Sequence, residues 1–489
     1  MVDATRIEDR YGLPLSTNST VAAGNLMDGV DLLLEQNFGP DQRFQQAVDA
    51  DEGFALAHAA LAYAYMMAAQ VSNAREAAQK AQSLTAGISR REQQQIEAIA
   101  LWTNGKGQES LAIIRQHLVE FPRDMLMVRL AQRLYVLGCS SAGATVPNYP
   151  QELFALMKSV APEYGDDWAF QGQYAFAHHE NGLLDDALKL AERSLDQRPT
   201  NAVASHSIAH VYFERGNALE GTDFLARWLP GFDERAPYHV HLSWHMALFE
   251  LAMGHYERAL DVYDSNIRPS VVAKSVISLN DSASLMWRLE MYGAAAPPDL
   301  MGELATQAAP AAERMGPAFR DSHAALAFAV AADEQSMDRM MDGLRAAAEK
   351  GDKLAGEVTL PLVQGISAFV HQDYDEAVRL MEPLFGQDAR YDQLSRIGGS
   401  HAQREVFEDT MVEAYLRAGQ FDKAEALLSQ RLKRRESPRD LFWLARAQEA
   451  DGNREAAESN ARQARGGWQD ADAGSQEIAA LTNLAERLG

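Results

Sequence analysis

Apolar and polar positions along this chain follow the period of a helix, and no apolar–polar alternation of strand period runs long enough to suggest a sheet. The segment WAFQGQYAFAHHENGLLDDALKLAERSLDQRP shows the recurring order most clearly: helix, glycine, a second helix with alanine in its middle, then proline. Glycine lets the chain reverse between two antiparallel helices. The small alanine lets those helices approach closely, and the proline cannot continue the second one.

Gly182 is followed by Ala187 and Pro199, offsets that match the second half of the 34-residue tetratricopeptide pattern. The register recurs at Gly216, Gly254, Gly419 and Gly452, with spacings of 34, 38 and 33 for Gly182–Gly216, Gly216–Gly254 and Gly419–Gly452. A unit around Ala62, Tyr65, Ala74, Ala78 and Ala81 keeps the alanines without the glycine, and weaker units centre on Gly107 with Ala112 and on Gly365 with Ala377. The fold expected is all-α, an α-solenoid of about nine or ten tetratricopeptide-like helix pairs in one superhelix over residues 1–489. Within it, 1–40 reads as an N-terminal capping segment, with Ser16, Thr17 and Asn18 as cap candidates for a helix near 19–36. Composition marks loops at 138–150, 292–300 and 390–405, the last preceding C-terminal repeats over 406–489, and Ser400 is placed to cap the helix that follows.

Composition narrows the function. Forty-five basic and 69 acidic side chains give a formal charge of −24, which argues against nucleic acid or an anionic membrane as partner. The longest apolar run, Ala59 to Ala69, is well short of the ~18 residues a spanning helix needs. MVDATRIEDRYG lacks a signal-peptide pattern, so a cytoplasmic location is expected. The single cysteine, Cys139, excludes a disulfide framework and reads as a small buried hydrophobe. No P-loop, G-x-S-x-G or H-E-x-x-H is present, and Gly105-Lys106-Gly107 follows a helix, not the strand a dinucleotide fingerprint requires.

Histidine carries the candidate chemistry. Seven of the 13 fall between His178 and His245, where even scatter would put about two. His206 and His210 are four apart, as are His241 and His245, so each pair shares a helix face. In the repeat register His206 and His210 take the fifth and ninth positions of their unit, and His179 the twelfth of the preceding one; such positions line a concave groove. The ligand-lining set is His179, His206, His210, His239, His241, His245, Asp281, His323, Gln403 and Arg404. Asp281 and His323 also read as residues that cap helix starts, and Arg404 as a holder of carboxylate or phosphate or as one half of a salt bridge. Trp102, Trp168, Trp228, Trp244 and Trp287 read as core. No motif names a cofactor, although His206, His210, His241 and His245 offer the donors of a divalent-metal site.

The runs SHSIAHVYFERGNALEG, HLSWHMALFELAMGHYERALDVYD, NDSASLMWRLEMYG, GGSHAQREVFEDT and YGLPLSTNST resemble the tetratricopeptide repeat protein 38 (StaR-like) family across nearly the whole chain. The resemblance implies a diverged helical-repeat fold and no established activity. By it, His206, His210, His241, His245, Asp281, His323, Gln403 and Arg404 match recognisable family motifs, while YHVHLSWH replaces the family's usual asparagine–tryptophan-rich run. The function expected is binding of a small molecule or short peptide in a histidine-lined concave pocket. The alternatives are an enzyme of hydrolase or oxygenase type using the same histidines, with or without metal, and a protein–protein scaffold. If the histidines face a wet groove, their replacement by alanine costs within about 1 kcal/mol.

Overall fold

The computed structural model describes residues 7–141, 148–275, 278–294, 297–388 and 392–488, with the side chains of 137–141, and hence Cys139, outside the described set. Among these residues the structure is helical throughout, and the only β feature is an isolated bridge between Glu8 and Pro14. Helices pair through three-residue turns: Ala55–Met67 with Val71–Ser83, Trp168–Glu180 with Leu184–Gln197, Leu360–Val370 with Tyr374–Met381, and Pro438–Ala450 with Arg454–Gly467. The mid-helix alanines Ala74, Ala78, Ala187, Ala424 and Ala457 are all buried, as close helix approach requires. No described helix is long and apolar enough to cross a membrane.

Gly182, Gly216, Gly254, Gly419 and Gly452 turn the chain in the left-handed region, with φ from 70° to 85°. The two weaker units use other residues. Gly105 (φ 77°) holds the turn and Gly107 opens the next helix; Gln372 (φ 62°) turns where Gly365 is expected to. Gly365 sits inside its helix against Met381 and Ala377, where a Cβ would collide with the Met381 side chain. Ala69 and Ala332 adopt the same left-handed turn without glycine.

Several boundaries differ from those expected. Ser19, not Ser16, Thr17 or Asn18, caps the first helix, Thr20–Leu34, by accepting a hydrogen bond from the Ala22 amide. That helix packs on Pro40–Ala50 as an ordinary pair. The Met125–Ser141 helix runs into the 138–150 stretch, and the next helix starts at Tyr149. The 292–300 stretch spans a helix end at Met291 and a new start at Pro298, and a short 3-10 turn, Leu394–Ile397, occupies part of 390–405. The rest of those three stretches, 142–147, 295–296 and 390–391, lies outside the described residues.

The chain forms two compact units, the first Met1–Ile208 with Phe232–Tyr238 and the second Ala209–Gly231 with His239–Gly489. The first packs around Phe54, Tyr63, Ile99, Trp102 and Leu130, with the Tyr63 and Trp102 rings 5.1 Å apart. The second packs around Trp244, Trp287, Phe328, Phe407 and Trp443. Trp102, Trp168, Trp244 and Trp287 are buried and Trp228 is partly exposed.

Candidate functional site: a buried histidine row

In the second unit, His210 of the Ala202–Arg215 helix meets His245 of the Pro237–Ala252 helix, ring centroids 4.6 Å apart at 69°. His245 meets His241 at 4.9 Å and 75°, and Trp244 stacks on His241 at 5.3 Å. His241 Nδ1 lies 2.8 Å from an Asp281 carboxylate oxygen, 40 residues away on the Leu279–Met291 helix. With the proton on Nδ1 the bond is a donation to the carboxylate, and the ring's lone pair then belongs to Nε2. The result is a row, His210–His245–His241–Asp281. His239, two residues before His241, sits about 200° away round the same helix.

His210 and His245 are buried rather than wet, at 1% and 0% exposed, while His241 is partly exposed. The expectation that these histidines cost little to replace is therefore corrected, since removing either ring opens a cavity in a packed interior. Burial pushes the His210 pKa down to about 3, helped by His241 and His401, against a weaker opposing pull from Glu214. His210 is a neutral imidazole at physiological pH.

Asp281 and His323 are not caps. The residue before the Asp281 helix is Ser278, with no side-chain cap bond, and Asp281 lies inside the first turn receiving His241. His323 lies mid-helix in Ala318–Val330, where Nδ1 faces the Phe319 carbonyl at 2.8 Å and Nε2 the Gln403 carbonyl at 3.4 Å. Burial holds its pKa down to about 4. Gln403 serves the His401–Arg417 helix, where its side chain accepts from the Ser400 amide and the Ser400 hydroxyl accepts from the Gln403 amide. Arg404 is buried and donates to the carbonyls of Gly398 and Gly399, so among these bonds its guanidinium binds its own loop.

His179 and His206 belong to the first unit, their centroids 6.4 Å apart. Phe176 packs edge-on to His179 and parallel to His206, and Tyr238 meets the His206 ring at 5.3 Å. His178 donates to the Tyr174 carbonyl and packs between Tyr174 and Phe154.

One cluster escaped sequence reasoning. His401, Glu405 and Glu408, on one face of the His401–Arg417 helix, bring potential ligand atoms within 4.8 Å of one another. Their charges are already answered. Glu405 pairs with Arg435 and Arg431, Glu408 with Arg434 at 3.0 Å, and Arg431 also reaches Asp409 at 2.8 Å and Asp440 at 3.0 Å. His401 Nδ1 bonds Glu214 at 2.9 Å. Burial opposes charge on His401, but Glu214 and Glu408 overcome it and lift its pKa to about 9. With three arginines supplying the positive charge, the cluster is a buried ion network. Its H-x-x-x-E-x-x-E spacing was visible in the sequence; its arginine partners were not. A separate hollow of about 380 Å3 includes Arg417, Arg446, Arg487, Glu413 and Trp443 in its wall, and its arginines pair with Glu413 or Glu449.

No protein-family model matches the chain. Among solved structures it is similar to a monomeric IFIT1 mutant with Gppp-AAAA, at 13% identity and TM-score 0.40 over 90% of this chain and 95% of that one. It is also similar to a human IFIT1 dimer with m7Gppp-AAAA (14%, TM-score 0.35, 89% and 94% covered) and to one with PPP-AAAA (13%, TM-score 0.39, 94% and 97% covered).

Proposed function

We propose that this protein is a tetratricopeptide-like binder whose second unit receives a small molecule or short peptide segment at the row formed by His210, His245, His241 and Asp281. The observation that carries the reading is the part-buried Asp281–His241 hydrogen bond continued by two further, fully buried imidazoles. Polar groups withdrawn from water at this density cost stability unless they serve each other or a ligand. Asp281 fixes the His241 tautomer so that Nε2 accepts a hydrogen bond from a donor on the ligand, and the neutral His210 adds a ring that carries no charge to desolvate. The resemblance to the tetratricopeptide repeat protein 38 family fits the same reading, because its motifs coincide with these residues.

A second reading has its own support. A carboxylate bonded to one imidazole nitrogen is the arrangement that orients metal-bound histidines, and it also positions a histidine base. The test is mass spectrometry of small molecules released on denaturing the purified full chain, with metal analysis of the same sample, for wild type and His241→Ala. A near-stoichiometric compound present in the wild type and lost from the variant supports the binder. Loss of a metal instead supports the second reading, and a wild-type chain releasing neither overturns both.

A further inference from the structure

The first unit holds two arginines that, among the described residues, lack the carboxylate partner that Arg91 has. Arg91, in the same unit, is paired with Asp9 at 3.1 Å and Asp124 at 3.4 Å. Arg129 and Arg133 lie four residues apart on one face of the Met125–Ser141 helix, and among the described residues neither has a carboxylate within 4.0 Å. Arg129 is 5% exposed; its amino group donates to the Gln132 side-chain oxygen at 2.7 Å and faces that of Gln173 at 3.5 Å, while its Nε–H is buried without an acceptor. The Tyr63 hydroxyl, fully buried and also without a hydrogen-bond partner, lies within the field of both guanidiniums. Arg133 is partly buried. Burial, reinforced by the Arg129 charge, brings its pKa down to about 10.

Two like charges on one helix face, Arg129 buried and Arg133 partly so, with unused donors beside the first, form a site whose missing component is an anion. We propose that Arg129 and Arg133, with Gln132, Gln173 and the Tyr63 hydroxyl, bind the phosphoryl group of a small phosphate monoester or free phosphate. Charge selects this chemistry. A phosphate monoester carries close to two negative charges at neutral pH and matches two guanidiniums, whereas a single carboxylate leaves one unanswered. Guanidiniums present paired N–H donors that suit phosphate oxygens, and the Tyr63 O–H and Arg129 Nε–H are further donors without an acceptor among the described residues. The site is distinct from the histidine row, which lies in the other unit, and does not depend on the function proposed for that row.

The test is calorimetric titration of the full chain with phenyl phosphate and with inorganic phosphate, against benzoate and sodium chloride at matched ionic strength. Arg129→Gln and Arg133→Gln are titrated alongside, with melting temperatures recorded without phosphate. The expected result is saturable binding of phosphate compounds only, weakened at least tenfold in each variant, with melting temperatures unchanged or raised because a like-charge contact has been removed. Tighter binding of phenyl phosphate identifies a monoester ligand, and equal or tighter binding of inorganic phosphate identifies the free ion. Should Arg129→Gln fail to fold, the partly exposed Arg133→Gln carries the test alone. Binding no different from benzoate or chloride, or binding that survives both substitutions, overturns the proposal.

Discussion

His210 and His401 share a residue type, a structural unit and near-complete burial, yet they sit on opposite sides of neutrality. His210 lies among other imidazoles and is held down at about 3; His401 lies among carboxylates and is held up at about 9. Burial opposes charge on both rings by the same mechanism. What separates them is partner chemistry. Glu214 touches His401 directly at 2.9 Å and outweighs burial there with help from Glu408, whereas on His210 its pull is outweighed by burial and the His241 charge. Burial alone therefore does not predict whether an interior histidine is a base, a cation or a ligand.

Four outcomes sharpen or break this contrast. The largest effect is expected from Arg431→Met, which withdraws the cation shared by Glu405, Glu408, Asp409 and Asp440 and leaves buried carboxylates facing each other. Urea unfolding at pH 7 should show a loss of about 3–5 kcal/mol. A loss below about 1 kcal/mol would mean that the network is wetter than its burial indicates.

The second concerns alkaline pH. A base whose pKa rises on folding adds stability that is complete below its unfolded value, about 6.5, and disappears as pH climbs through its folded value. For His401 the window runs from about 6.5 to about 9, over which unfolding free energy should fall by roughly 3 kcal/mol. His401→Gln should flatten that limb, and an unchanged limb in the variant would remove His401 as its origin.

The third is His245→Ala. The ring is fully buried between His210 and His241, so truncation should lower stability by about 2 kcal/mol in denaturant unfolding through cavity formation. Near-zero cost would return the row to the wet-groove picture.

The smallest effect at pH 7 belongs to His210→Gln, about 1 kcal/mol, because glutamine nearly fills the volume of the buried ring, so little cavity opens, and the neutral ring gives up no charge interaction there. Its signature lies in acid. A base whose pKa falls on folding contributes stability above about 6.5 that drains away as pH drops towards its folded value, here about 3. The acid limb between pH 6.5 and 4 should be shallower in the variant, and His323, held at about 4, should retain its own share.

Much of the fold was legible because repeats impose local constraints. Gly182, Gly216, Gly254, Gly419 and Gly452 mark turns where backbone sterics favour glycine. The rule failed at Ala69, Ala332 and Gln372, which take the same left-handed turn because packed helices on both sides enforce it. It also misplaced two turns at Gly107 and Gly365, the latter a glycine kept small by Met381. Ser400 was readable as a cap, whereas Gln403, expected to line a ligand site, completes the capping box with it. Asp281 and His323 were not, because their burial and their partners on other helices appear only in the packed protein.

The sequence by itself determined what short-range physics fixes: helices and their period, their pairing through tight turns, and the common face of His241 and His245, set by the 3.6-residue turn of one helix. Tertiary structure decided what depends on neighbours remote in the chain. It brought Asp281 to His241 across 40 residues and Glu214 to His401 across 187. Among the described residues it left Arg129 and Arg133 without a carboxylate within 4.0 Å, in a chain that carries 24 more acidic than basic side chains. Composition counts charges, but the energy of a charge depends on distance and on the water around it, and packing sets both.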